Sequence, residues 1–162
     1  AKNVDWNKLW SEGRQKINDY RPANQVSLPH AHKNASFTVD MSRQLEIDVP
    51  DGKGGILYPK GTVINPLASS KYSHILVVLD GDDPDQVSWF RDSPYSKKTN
   101  VKLLLTDGNY YKVAEKLRRQ VFYVSPLIVS RFQLRAVPSV VSQAGEVMQV
   151  QEIAVPRKRT KQ

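Results

Sequence analysis

Residues 72–155 predict an α/β domain on a largely parallel central sheet, and three observations carry that reading. Ile75-Leu76-Val77-Val78-Leu79 is an unbroken apolar run, which suits a strand covered on both faces. Strand and helix patterns then alternate as β-α-β-α, an order that demands right-handed crossovers. Finally, Val137-Pro138 stands immediately before an apolar strand, and Gln143-Ala144-Gly145 turns that strand into a second one.

Taken from the start, residues 5–20 predict a helix. Trp6, Leu9, Trp10, Ile17 and Tyr20 recur at three-to-four spacing, Gly13 weakens the middle, and Arg21-Pro22 ends the segment. Such an aromatic stripe packs on its own domain or docks in a partner's groove. Residues 22–36, rich in Pro, Asn, Ser and His, predict a linker or extended arm. Residues 37–71 predict a small β module. Phe37, Val39 and Met41 alternate with polar residues, as do Leu45, Ile47 and Val49, and short apolar triplets at 56–58 and 62–64 lie between Gly- and Pro-rich turns.

In the larger domain, Asp80-Gly81-Asp82-Asp83 leads to Pro84, well placed as a first helical residue. Asp83 as N-cap with Gln86 three residues on has the spacing of a capping box. Val87 and Phe90 then face the sheet, with Trp89 beside them. Residues 101–105 predict the next strand, residues 110–119 a helix with Val113, Ala114 and Leu117 inward, and residues 121–124 a further strand. Residues 156–162 form a basic tail.

The order of helix, strands and proline in residues 72–155 resembles a thioredoxin fold, in which a cis-proline stands beside the redox cysteines. The chain contains no cysteine, which excludes disulfides, thiol catalysis and thiolate metal sites. Where redox relatives open the helix with Cys-x-x-Cys, this chain has Asp82-Asp83-Pro84-Asp85. Acids there suit the positive end of a helix dipole. The expected fold is therefore thioredoxin-like without redox chemistry, preceded by a β module and an N-terminal helix.

Three blocks narrow the resemblance. They are Leu57-Tyr58-Pro59-Lys60-Gly61-Thr62 with Asn65-Pro66-Leu67; Asp80-Gly81-Asp82-Asp83-Pro84 with Gln86-Val87 and Trp89; and Arg131-Phe132 with Val137-Pro138 and Val141-Ser142. Their succession over residues 37–155 is similar to the TraW family, periplasmic assembly proteins of F-type conjugative type IV secretion systems. That resemblance implies export to the periplasm with removal of a signal peptide, and a role in assembling the conjugative pilus beside a TrbC-like partner of thioredoxin fold. The family's Tyr-Phe-Asp-Gln-like segment is replaced here by Phe122-Tyr123-Val124-Ser125-Pro126, and residues before Phe37 match poorly. A chain beginning at Ala1 fits a cleaved export signal, and equally a start inside a longer sequence.

At 162 residues and 40% hydrophobic, the chain can bury one core. No apolar run approaches the roughly 18–20 residues that span a bilayer. The net charge of +8 is half tail, because Arg157, Lys158, Arg159 and Lys161 fall in the last six residues and leave +4 for the body. A short basic end is ordinarily solvated, and no aromatic-rich RNA motif accompanies it, so nucleic-acid binding through the tail ranks as an alternative only.

Other chemistry is weaker still. Asp80, Asp82, Asp83 and Asp85 offer oxygen ligands to calcium, but no EF-hand pattern continues them. His30-x-His32 offers two imidazoles to zinc, with His74 the only other histidine. Lys60-Gly61-Thr62 lacks the spacing of a P-loop, and no Gly-x-Ser-x-Gly elbow exists for a hydrolase. No residue is assigned a catalytic, metal or cofactor role, and a metal-dependent or other non-thiol enzyme on the same scaffold is the rival reading. The expected partner-facing residues are Trp6 and Trp10 on the arm and Val137 and Pro138 beside the sheet, where an edge can receive a partner strand. Asp83, Pro84, Gln86 and Pro138 are expected to be structural.

Overall fold

The computed structural model describes residues 26–157. The expected helix over residues 5–20, with Trp6 and Trp10, lies outside the described residues, as do residues 22–25 of the arm and 158–162 of the tail. The described chain is α/β.

Six strands form the main sheet: β1 (Ala35–Val39), β6 (Ile75–Leu79), β7 (Val101–Leu105), β8 (Val121–Tyr123), β9 (Ser139–Ala144) and β10 (Val147–Glu152), in the order β1-β10-β9-β6-β7-β8. β6, β7 and β8 run parallel, while β9, β10 and β1 pair antiparallel. The expectation of a largely parallel centre is thus corrected to a mixed sheet. A tight turn at Gly145, with φ +68, joins β9 to β10, and neighbours joined so closely can only be antiparallel.

Alternation on β6 divides the core. Val77 and Leu79 face one side with Val101, Leu103, Leu105 and Val140, beneath Val87 and Phe90 of α2 (Pro84–Asp92) and Val113 of α3 (Tyr110–Leu117). Leu76 and Val78 face the other with Leu104, Val141, Met148, Val150 and Phe132, the last just after α4 (Pro126–Arg131). Each fully buried aliphatic or Phe side chain contributes about 1.5–3 kcal/mol, so stability resides in these two layers.

The module between β1 and β6 is thinner than its sequence suggests. Phe37 and Val39 belong to β1, an edge strand of the main sheet facing β10, so the module proper starts after Met41. Leu45, Ile47 and Val49 do not form one strand. β2 (Arg43–Gln44) pairs with β5 (Val63–Ile64), β3 (Val49–Pro50) pairs with β4 (Ile56–Tyr58), and Ile47 lies between them 72% exposed. None of these short strands buries a residue, and isolated two-stranded pairs are marginal. The module is tied down at its end instead. Asn65 caps α1 (Pro66–Ser69) by accepting from Leu67 N, and its Nδ2 donates to Glu146 O at 2.9 Å.

Two loops at the carboxyl ends of β6 and β7 touch backbone to backbone. Gly81 N donates to Asp107 O at 2.7 Å. A Cβ on Gly108 (φ +108) would lie 2.6 Å from Gly81 C and 2.9 Å from Asp82 N, and neither is a flexible group that could move away. Gly108→Ala should therefore destabilise the chain by on the order of 1–3 kcal/mol, read as a lower urea midpoint with unchanged m-value. An unchanged midpoint would mean that these loops do not meet as described.

Candidate functional site

The loop between β6 and α2 is assembled almost wholly from its own acids. Asp80 Oδ1 accepts from Asp82 N at 2.9 Å, which closes an Asx turn. Asp83, extended at φ −96 and ψ 106, is the N-cap of α2, with Oδ1 accepting from Asp85 N at 3.0 Å, and Pro84 follows at the first helical position. Gln86 is fully buried but does not complete a capping box. Its Oε1 accepts from Asp80 N at 2.8 Å, three residues upstream of the cap, so it closes the whole loop rather than the helix end.

An imidazole and a guanidinium meet this loop from opposite ends of the described chain. His30 Nε2 lies 2.8 Å from Asp80 Oδ2, and its Nδ1 lies 3.5 Å from Asp83 Oδ2. Arg157 Nη1 pairs with Asp83 Oδ2 and lies 3.5 Å from Asp85 Oδ2, while Nη2 contacts His30 Nδ1. A guanidinium only donates, so His30 Nδ1 is the acceptor and the ring proton sits on Nε2, pointing at Asp80. The hydrogen bond that Arg157 donates to Asp83, helped by the Asp83 and Asp85 charges, raises the Arg157 pKa above its ordinary value.

The backbone of the same arm closes the neighbouring slot. Val137 N donates to Pro29 O at 2.9 Å and Ala31 N donates to Val137 O at 2.8 Å, which makes His30 a parallel bridge partner of Val137. The Val137–Pro138 peptide is cis. Val137 is fully buried and Pro138 is buried too, so neither presents a free edge, contrary to the sequence expectation of an open strand-receiving site. The arm is likewise more than a linker, since Val26 and Leu28 pack against the core layer that contains Val137.

Other sequence candidates disperse. His32 is exposed, and His74 sits 5.9 Å from the Tyr72 ring, so the histidines do not converge. Among the described residues no group of three or more His, Cys, Asp or Glu is placed to hold a metal. The sequence places Arg157 in a basic tail, yet the structure makes it the cation that meets Asp83. Its partners lie 74 and 127 residues away, and no local pattern signals that. Elsewhere, Met41, Leu67, Tyr72, Phe132 and Met148 line a cavity of about 250 Å³. On the module, Ile56, Leu57, Tyr58 and Val63 are exposed beside Ile47.

Residues 82–85 thus form a helix cap and an ion-paired cluster. The chain is similar to protein TraW of Escherichia coli (strain K12). The two are 28% identical over 127 residues, which is 77% of this chain and 60% of TraW. The chain therefore spans about three-fifths of that relative's length. No protein-family model matches the chain, and no solved structure matches it.

Two measurements check this geometry. Asp83→Ala should cost about 1–2 kcal/mol through loss of the cap. Asp83→Asn keeps the acceptor and should cost less, because pairs with a half-exposed cation couple by only about 0.2–1 kcal/mol. Equal losses would make charge, not capping, the main role of Asp83. Separately, ring nitrogen chemical shifts of His30 should report the Nε2–H tautomer, and a proton on Nδ1 would contradict the contact with Arg157.

Proposed function

We propose that this chain is a TraW-like, non-enzymatic component of a conjugative type IV secretion system. In this reading it works in the periplasm, in pilus assembly, by holding partner proteins, among them a TrbC-like protein of thioredoxin fold. The similarity to TraW over 77% of the chain carries the proposal. The three sequence blocks lie at structurally demanding places, which supports it: Asn65 and Pro66 at the tie of the module, residues 80–87 at the head of α2, and Phe132 and Val137 in the core.

The thioredoxin-like reading of the fold belongs to the same proposal. It is supported by the order β10-β9-β6-β7, by the helix that enters directly after β6, and by Val137 beside that helix's N-terminus. The non-enzymatic reading is supported by the absence of cysteine and by the engagement of Asp80, Asp83 and Asp85 with His30 and Arg157. Among the described residues no helix is long and apolar enough to cross a membrane.

Partner contact is assigned to Trp6 and Trp10 on the N-terminal segment and to the Val137–Pro138 slot, which the chain's own residues 29–31 cover. A purified TrbC-like partner should bind the whole chain and lose most of its affinity when residues 1–21 are removed. Unchanged affinity after the truncation would reject the N-terminal segment as the binding element. Metal analysis of the purified chain should find calcium and zinc far below stoichiometric amounts. A stoichiometric ion would favour the metal-dependent alternative.

A further inference from the structure

Residues 29–31 fill the slot beside Val137 in a manner that an outside segment could reproduce. Their hold on Val137 is two backbone hydrogen bonds, from Val137 N to Pro29 O and from Ala31 N to Val137 O. No ladder extends that contact, because the first strand begins four residues later at Ala35 and pairs with β10. Backbone bonds of this kind carry no sequence requirement, so any extended segment can make them.

Side-chain chemistry adds the selectivity. His30 projects between Asp80 and Asp83, two mostly buried carboxylates, and the half-exposed cation Arg157 pairs with Asp83. Withdrawal of residues 29–31 leaves the Val137 N–H and C=O without partners and Asp80 Oδ2 without its donor. Uncompensated buried carboxylates and backbone groups are costly, so the emptied slot favours an occupant that restores both kinds of contact. An acidic side chain, or one without a donor, at the His30 position cannot do so, whereas a Lys or Arg supplies the donor and also a charge opposite Asp80 and Asp83.

We propose that residues 29–31 are a removable internal strand, and that the slot they fill receives an extended basic segment of a partner protein in their place. His30 and Arg157 are the latch: one fastens the arm before β1 and the other the segment after β10, both on the N-terminus of α2. The inference rests on the partner-holding function proposed above and supplies its mode, an exchange of strands in which a partner's cation replaces His30 between Asp80 and Asp83.

The test uses the full chain carrying His30→Ala and Arg157→Ala, with Arg157→Gln alone as a milder opening. Amide exchange at Ala31 and Val137 should rise at least about tenfold, while amides of Val77 and Leu103 in the central strands stay protected. A fluorescent peptide of residues 26–34 carrying His30→Lys should then bind the opened variants, restore protection at Val137, and bind at least about tenfold more tightly than the same peptide carrying His30→Glu. Unchanged exchange at Val137 in both variants would show that the strand is not removable. Opened variants that bind neither peptide, or both equally, would overturn the basic-segment assignment. Neither readout involves a secretion protein, so failure here is distinguishable from failure of the proposed function.

Discussion

The antiparallel pairing of β9 with β6 is the constraint on which the rest of the molecule depends. Its register sets Leu76 opposite Val141, Val77 opposite Val140 and Val78 opposite Ser139. Because the strands run in opposite directions, the start of β9 lies beside the end of β6. Val137 is thereby carried to the loop at residues 80–83 from more than fifty positions away. The same pairing joins the parallel strands β6, β7 and β8 to the hairpin of β9 and β10, and through it to β1. Both hydrophobic layers are continuous across that junction, with Val140 in one and Val141 in the other.

That junction decides the local chemistry. A helix N-terminus offers unsatisfied N–H groups and a positive dipole end, which a thiol enzyme uses to stabilise a thiolate. Here the same field is answered by Asp83 and Asp85, and those carboxylates in turn meet the Arg157 cation, with the His30 ring beside Asp83. Asp80, Asp83, Asp85, His30 and Arg157 are thus engaged with one another. Such an arrangement positions segments of the chain. Among the described residues, the exposed apolar set on the module and the arm that crosses Val137 are left for contact with other molecules.

How much of this could be read beforehand follows the range of each interaction. β6, β7, α2 and α3 were legible because each is written locally: an apolar run, a Val-x-Leu-Leu-Leu strand, Asp83-Pro84 at a helix start and Asn109 at another. α4 carries an equally local signal, Ser125 capping Ile128 N with Pro126 at the first position, yet the sequence reading assigns residues 126–131 to no element. The placement of β1 was not legible. Phe37 and Val39 alternate as in any strand, and their partners Val150 and Met148 lie more than a hundred residues on. Gln86 was misassigned because its spacing from Asp83 fits a capping box, while its actual acceptor role toward Asp80 N depends on the loop geometry. The His30 and Arg157 contacts arise only when β9 aligns with β6, so composition shows them merely as a histidine in a linker and a cation in a tail.

The central claim is that this chain functions by holding other proteins of a secretion assembly. Recovery of the intact chain from the envelope of cells that carry its transfer system, with its associated proteins identified by mass spectrometry, tests that claim most directly. The account predicts reproducible co-purification with other secretion components, including a protein of thioredoxin fold. Recovery of the chain alone, or in company with nucleic acid instead of envelope proteins, would contradict it.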